Sequence, residues 1–258
     1  MNIKTKLNLY TGIVVPCYIE FERINLSEFS EFFSLNKSTF ICFVNDGSSD
    51  GTKSILENFV KKNCDRCQLI DLPYNQGKAE AVRQGIITLL KTPIFKFVGY
   101  WDADLATPLI TIQEFTKKMR SNSKLVIICG SRILRLGSSI HRSIFRHYLG
   151  RLFATIASNI LRIPVYDTQC GAKLFRTKHA ELIFSEKFLS RWYFDIELFA
   201  RSIEIMGRRE TILSVYEIPL SQWHDQGESK ISWVNIIYTP IELLRIYYNY
   251  RNRMLDCK

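Results

Sequence analysis

Long apolar runs are missing from this chain of 258 residues. None approaches the roughly 20 consecutive apolar residues that span a bilayer. The longest uncharged candidate near the C-terminus, Ile231 to Ile241, is short and contains Pro240. The opening Met1-Asn-Ile-Lys-Thr-Lys-Leu7 has no apolar core of the kind a secretory signal needs, so export is not expected. Cysteine is present but unpatterned: seven residues, an odd number, scattered, and therefore read as reduced cytosolic thiols. Cys64-Asp-Arg-Cys67 is half a zinc site without a second pair and carries no assigned function. Neither the P-loop pattern G-x-x-x-x-G-K-[ST] nor the dinucleotide pattern G-x-G-x-x-G occurs. Repeats and low-complexity tracts are lacking as well. With 47% apolar and 23% charged residues the composition is globular, which excludes disordered and fibrous classes.

Negative charge is missing from one long segment. Between Phe115 and Tyr166 there is no Asp or Glu, yet ten basic residues: Lys117, Lys118, Arg120, Lys124, Arg132, Arg135, Arg142, Arg146, Arg151 and Arg162. That block accounts for the net charge of +10, and the rest of the chain is balanced. A one-sided block of this kind meets an anion: nucleic acid, acidic lipid or phosphate. Within it Ile144, Tyr148, Leu152, Phe153, Ile156 and Ile160 keep helical spacing. A basic amphipathic helix suits an anionic membrane surface better than a DNA groove, and no nucleic-acid partner is expected.

Across the first half, short β-branched runs alternate with helical patterns. Strands are expected at Gly12–Pro16, Phe40–Val44, Gln68–Leu72, Ile94–Trp101 and Leu125–Cys129. Helices are expected near Leu26–Phe33, Thr52–Lys62, Lys78–Leu90 and Leu109–Arg120. The alternation predicts an α/β fold, a twisted and mostly parallel sheet with helices on both faces. Right-handed crossovers bring the carboxyl ends of such strands to one edge, where ligands bind. Three of those ends are polar: Pro16-Cys-Tyr-Ile-Glu20, Asn45-Asp-Gly-Ser-Ser-Asp-Gly51 and Trp101-Asp-Ala-Asp104. Asp102 and Asp104, crowded at the end of a buried strand, repel each other unless a cation sits with them. A hard divalent ion shared with substrate phosphates fits that place. Ser49 or Asp50 serves to cap the helix beginning near Thr52, whereas Asp46 is not needed for capping and is expected to face the pocket. Asn75-Gln-Gly-Lys78 opens another helix, whose free amides and Lys78 can attract phosphate or simply initiate the helix.

The second half is less regular. Tyr166–Gly171 reads as a turn followed by an extended piece through Phe175, and Phe188–Met206 as Arg191-Trp-Tyr-Phe-Asp-Ile-Glu197 followed by a helical run in which Leu198, Ile203 and Ile205 pack inward. Thr211–Pro219 reads as a late strand, Trp223–Lys230 as a polar loop able to move, and Ile231–Arg253 as an aromatic-rich amphipathic helix. Tyr and Arg on that last segment suit either core packing or a membrane interface.

In order along the chain, Val15-Pro-Cys-Tyr-Ile-Glu20, Val44-Asn-Asp-Gly-Ser-Ser-Asp-Gly-Thr52, Asn75-Gln-Gly-Lys-Ala79, Trp101-Asp-Ala-Asp104 and Gly130-Ser-Arg132 resemble the inverting family 2 glycosyltransferases with the GT-A fold. Asp167-Thr-Gln-Cys-Gly-Ala-Lys-Leu-Phe175 and Arg191-Trp-Tyr-Phe-Asp-Ile-Glu-Leu198 most resemble the dolichyl-phosphate glucosyltransferases, with the mannose synthases more distant. The resemblance implies a GT-A domain over 1–220, with a donor half to about 130 and an acceptor half from about 131. A closing loop and a membrane-facing helical segment would occupy 221–258. It implies that Pro16, Tyr18, Glu20 and Asp46 hold the base and ribose of a nucleotide sugar, with Lys78, Asp102, Ala103 and Asp104 completing the donor site. Asp104 would be the principal ligand, and Asp102 the second, of Mg²⁺ or Mn²⁺. Arg132, assisted by Arg142 or Arg146, would approach an acceptor phosphate. Asp195 and Glu197 fall where the family places sugar-binding or base carboxylates, and Trp223 and Lys230 on a loop closing over the donor.

These roles agree with the chemistry. Transfer from a nucleoside diphosphate sugar needs stabilisation of the leaving diphosphate and a nucleophile on the opposite face of the anomeric carbon. A lipid phosphate, with a second pKa near ~6, is already ionised at neutral pH and needs only cationic positioning. A sugar hydroxyl needs a general base, for which Asp195 is the candidate. The arginine-rich, acid-free segment beside Arg132 favours phosphate. The expectation is a metal-dependent transfer of a hexose, first glucose from UDP-glucose and second mannose from GDP-mannose, to a polyprenyl phosphate. The enzyme would sit peripherally on the cytoplasmic face of a membrane. A saccharide hydroxyl acceptor is the alternative.

Overall fold

The structure, a computed structural model, describes residues 10–141, 144–224 and 233–255; for residues 141, 144–149, 233–238 and 255 only the backbone is described. The first half alternates as β1 (Thr11–Cys17), α1 (Leu26–Leu35), β2 (Thr39–Asp46), α2 (Thr52–Lys62), β3 (Cys67–Leu72), α3 (Lys78–Leu90), β4 (Phe97–Trp101), α4 (Thr111–Ser121) and β5 (Ile127–Ser131). Next come β6 (Ser139–His141), α5 (Ile144–Leu161), β7 (Ala172–Arg176), α6 (Thr177–Ile183) and α7 (Phe194–Met206). The chain closes with α8 (Arg208–Ser214), β8 (Val215–Pro219), β9 (Gln222–His224) and α9 (Trp233–Leu255).

Seven strands form one sheet in the order β3-β2-β1-β4-β7-β5-β8. β1, β2, β3 and β4 are mutually parallel, as are β5 and β8, and β7 runs antiparallel between β4 and β5. Near-continuous apolar sequence in β1, β2 and β4 matches their central positions, covered on both faces. On one face Phe29, Phe59 and Phe115 from α1, α2 and α4 pack against Phe43 and Trp101. On the other, Val82 and Ile86 of α3 and Phe194 of α7 pack against Val44, Tyr100 and Phe175. A third cluster joins Ala157 and Leu161 of α5, Phe199 and Ile203 of α7, and Leu243, Ile246 and Tyr250 of α9. Each fully buried large side chain contributes about 1.5–3 kcal/mol of apolar transfer.

Three expectations are corrected. Residues 211–214 are helical, so the late strand starts only at Val215: Gly207, with φ of 80°, ends α7 and starts α8, and the Thr211 hydroxyl bonds back to the Gly207 carbonyl at 2.8 Å. The helix reaches further back than expected, to Phe194, where the Ser190 hydroxyl accepts the Trp192 and Tyr193 amides in the preceding turn, and Ile205 is 42% exposed rather than packed inward. Trp223 lies not in a loop but on β9, paired with Ile140 of β6. Among the described residues no helix is long and apolar enough to cross a membrane, and the six described cysteines are free thiols.

Candidate active site

The parallel register places the ends of β1, β2, β4, β5 and β8 at one edge, together with the turn that leads into β7. Pro16 is the second-to-last residue of β1, and beyond it residues 18–21 are tied down by the loop after β2. The Ile19 amide donates to Ser48 Oγ at 3.0 Å, Glu20 to Thr52 Oγ1 at 2.8 Å and Phe21 to Asp50 Oδ2 at 3.1 Å. Asp50 also accepts the Thr52 amide at the start of α2. One polar block is thus the cradle of another. Ile19 takes φ of 51°, a left-handed conformation that a β-branched residue rarely adopts, so these tethers impose real backbone strain. Tyr18 is exposed at this lip, while Glu20 is buried, with Arg23 Nε 3.8 Å from its carboxylate.

Asp46 organises the loop that follows β3. Its carboxylate accepts the amides of Gln76 (2.7 Å) and Gly77 (2.9 Å) and the side-chain amide of Asn75 (3.0 Å). It therefore pins the loop before α3. From the far side Arg191 donates to Asn75 Oδ1 at 2.6 Å. Clamped between the two, the loop delivers Lys78 to the edge, with Nζ 2.6 Å from Asp102 Oδ1. Burial opposes the Lys78 charge, but the Asp102, Asp195 and Asp104 carboxylates outweigh it and raise the ammonium above its ordinary value.

Asp102 and Asp104 flank the buried Ala103. Asp104 Oδ1 accepts the Ala106 amide at 3.0 Å, yet burial, and after it the charge on Asp102, pushes its carboxyl up to about 6. Two half-buried acids next to one lysine are short of positive charge. Hard oxygen donors in such a place fit a divalent ion of the Mg²⁺ or Mn²⁺ kind. Among the described residues no group of three His, Cys, Asp or Glu could ligate a metal alone. One or two carboxylates completed by substrate phosphates is the pattern such ions use.

Across the edge, Arg132 leaves the end of β5 and forms a two-pronged pair with Asp167, Nε to Oδ2 at 2.7 Å and Nη2 to Oδ1 at 2.8 Å. Its backbone amide donates to Oδ2 as well, at 3.1 Å. Burial alone would raise the Asp167 carboxyl, but the Arg132 charge holds it down to about 2. Conversely, the Asp167 carboxylate outweighs burial and raises the pKa of Arg132. Glu217 supports the arrangement by accepting the Tyr166 and Asp167 amides at 2.8 Å each. The Trp223 ring lies 5.5 Å from the Arg132 guanidinium, and the His224 amide donates to the Ala106 carbonyl. Trp223 thereby touches Arg132 while its strand borders the Asp102–Asp104 turn.

Asp195 is 2% exposed and accepts from both the Tyr100 hydroxyl and the Lys173 ammonium. Glu197 does not face the edge at all. It is fully buried, receiving the Leu189 amide, Arg201 and the Tyr250 hydroxyl, which fastens α9 to α7. Arg142 and Lys230 lie outside the described residues, and Arg146 lies in the first turn of α5 with its side chain outside them. Sequence reasoning gave no role to Tyr100, Asp167 or Lys173. The signal for Lys173 was present as a lone charge within the apolar run Ala172-Lys-Leu-Phe175.

A mixed sheet with acids at the strand-end edge of its parallel half defines the GT-A class, and solved structures agree. Glucosyl-3-phosphoglycerate synthase from Mycobacterium tuberculosis in complex with UDP superposes with a TM-score of 0.64 at 15% identity, covering 93% of this chain and 80% of that one. The same enzyme with Mn²⁺, UDP-glucose and phosphoglyceric acid also gives 0.64, at 13% identity, with 93% and 80% covered. The family model described as Glycosyl transferase family 2 matches residues 13–184, and the chain belongs to that family. It is a glycosyltransferase. A dolichyl-phosphate beta-glucosyltransferase of Trichomonas vaginalis is 32% identical over 94% of this chain and 72% of its own length. One of Dictyostelium discoideum is 31% identical over 94% and 75%, and that of Homo sapiens is 32% identical over 72% and 61%.

Proposed function

We propose that the protein transfers glucose, with inversion, from UDP-glucose to a polyprenyl phosphate of the dolichyl type. The names of its relatives support this acceptor class. The observation that favours phosphate over a sugar hydroxyl is the position of Asp195. A hydroxyl nucleophile needs a general base within reach of its proton. Asp195 is buried, and one of its oxygens is already engaged by Lys173 and Tyr100. A lipid phosphate, ionised before it arrives, makes no such demand.

The residues then divide by task. Pro16, Tyr18 and Glu20, on the loop strapped by Ser48, Asp50 and Thr52, bound the nucleoside pocket. Lys78 stands at the start of α3, where its own charge favours the diphosphate. Asp104, with Asp102, would hold Mg²⁺ or Mn²⁺, which when bound supplies positive charge to the leaving diphosphate. Arg132, oriented by Asp167, keeps its remaining N–H groups for the acceptor phosphate; a guanidinium fixed along one edge loses little freedom in gripping a second anion.

The lipid must be reached at a membrane. Around Arg132 the surface carries exposed Leu134, Arg135 and Leu136, and α5 adds exposed Arg151, Leu152 and Ile156. Apolar side chains interleaved with arginine suit an anionic leaflet, where each cation contributes about 1 kcal/mol. We place the enzyme peripherally on the cytoplasmic face.

The test is a transfer assay with labelled UDP-glucose or GDP-mannose, Mg²⁺ or Mn²⁺, and a polyprenyl phosphate in detergent. A lipid-soluble glucose product that disappears with EDTA and in Asp104→Ala is expected. A mannose product would change the donor, and donor binding without any lipid product would overturn the acceptor.

A further inference from the structure

Lys173 is 0% exposed, on a strand whose neighbours Ala172, Leu174 and Phe175 are equally buried. Its ammonium donates to the Thr168 carbonyl at 2.9 Å, to the Cys170 carbonyl at 2.7 Å and to the Asp195 carboxylate, which occupies all three of its N–H bonds. Two of these acceptors belong to the turn 167–171. That turn touches both sides of the site. Its first residue, Asp167, holds the Arg132 side chain and amide. At its other end the Gly171 carbonyl accepts the Asp102 amide at 3.1 Å. Gly171 also lies so close that an added Cβ would come 1.8 Å from Asp102 Oδ2.

A buried ion pair is a poor device for stability, since apolar residues of similar volume do as well or better. Its attested use is to fix one arrangement among several. We propose that Lys173 is a positioning residue that sets the turn 167–171, and through it the spacing between Arg132 on the acceptor side and Asp102 on the donor side. It touches neither substrate. The two substrates are described by the glucosyl-transfer reading above, on which the kinetic half of this inference rests.

The experiment compares wild type, Asp195→Asn, Lys173→Met and the double variant Lys173→Met/Asp195→Asn. The double variant removes both buried charges and so keeps a foldable chain should Lys173→Met alone fail. Asp195→Asn leaves the two carbonyl bonds of Lys173 in place. Amide hydrogen exchange is read at Asp102 and Arg132, the two amides the turn holds, against Val14 and Val44 in the central strands. Loss of Lys173 is expected to accelerate exchange at both Asp102 and Arg132 on the order of tenfold, with Val14 and Val44 unchanged. Asp195→Asn is expected to retain protection at both. In transfer kinetics, loss of Lys173 should raise KM for donor and for lipid phosphate together and lower kcat on the order of 100-fold. Uniform acceleration at all four amides, acceleration at only one of the two, or a lowered Tm with kcat and both KM values unchanged would each overturn the proposal. Should wild type transfer no sugar, the glucosyl reading fails, while the exchange pattern still decides the role of Lys173.

Discussion

Replacing Asp167 by Asn removes the counter-charge of Arg132 and keeps the shape of the side chain. The cost follows from the carboxyl's own titration. Its folded value, about 2 against an ordinary 3.8, makes the ionised form worth about 2.5 kcal/mol to the folded state at neutral pH. Because the folded value is depressed, this stabilisation is complete well above pH 3.8 and is lost as pH falls toward 2. Roughly half, about 1.3 kcal/mol, remains at pH 3. The structure explains the size: the carboxylate accepts two guanidinium N–H groups, the Arg132 amide and the Gln169 amide, and the residue is only 8% exposed. Urea unfolding of wild type and Asp167→Asn at pH 7, 5, 4 and 3 measures it. The gap is expected to be about 2.5 kcal/mol, or up to about 4 if the unpaired guanidinium stays dry, and to narrow below pH 4. A gap under about 0.5 kcal/mol at pH 7, within the range of an ordinary surface substitution, would refute the reasoning. So would a gap that does not change with pH.

Three other outcomes follow from the site. On the proposed metal role of Asp104, whose carboxyl burial pushes up to about 6, protons compete with the ion, so Mn²⁺-dependent nucleotide affinity should fall by up to about tenfold per pH unit below that value; a flat titration between pH 5 and 7 would contradict it. Gly171→Ala puts a methyl against the Asp102 carboxylate, and transfer should drop on the order of 100-fold while circular dichroism stays native; unaltered kcat/KM would show the approach to be dispensable. Tyr250→Phe withdraws a 2.8 Å hydrogen bond from the buried Glu197 carboxylate, which should cost about 1.5–3 kcal/mol in urea unfolding, and a neutral result would mean that Arg201 and the Leu189 amide suffice.

Much of the site's first-half portion was legible because its signals are local. The expected spans Thr52–Lys62 and Lys78–Leu90 coincide with α2 and α3, and the acids at three strand ends do meet at one edge. The limits of legibility lie where one polar group answers another far along the chain. Asp46 looked free because its partners, Asn75 to Gly77, arrive only when β2 and α3 pack side by side. Glu197 sits two residues from Asp195, close enough to suggest a shared task. About half a turn of helix separates them, however, so they face different surroundings and Glu197 looks into α9. The antiparallel β7 was unreadable for the same reason: a short apolar run does not state its direction, and only its pairing with both β4 and β5 does.

That reversed strand has a kinetic consequence. β1 to β4 make a contiguous parallel unit whose pairings are all available once about the first hundred residues have been synthesised. Among the described strands β5 is joined to that unit by β7, which comes some forty residues later, and β8 can then add to β5. The β1–β4 part can therefore condense early on the ribosome, while the strand that leads to Arg132 waits unpaired for its bridge. Long-range closures of this sort are slow and expose unpaired strand edges. Refolding should accordingly show a fast and a slow phase, and variants that weaken the β4–β7 zipper should lengthen the slow one and aggregate from it.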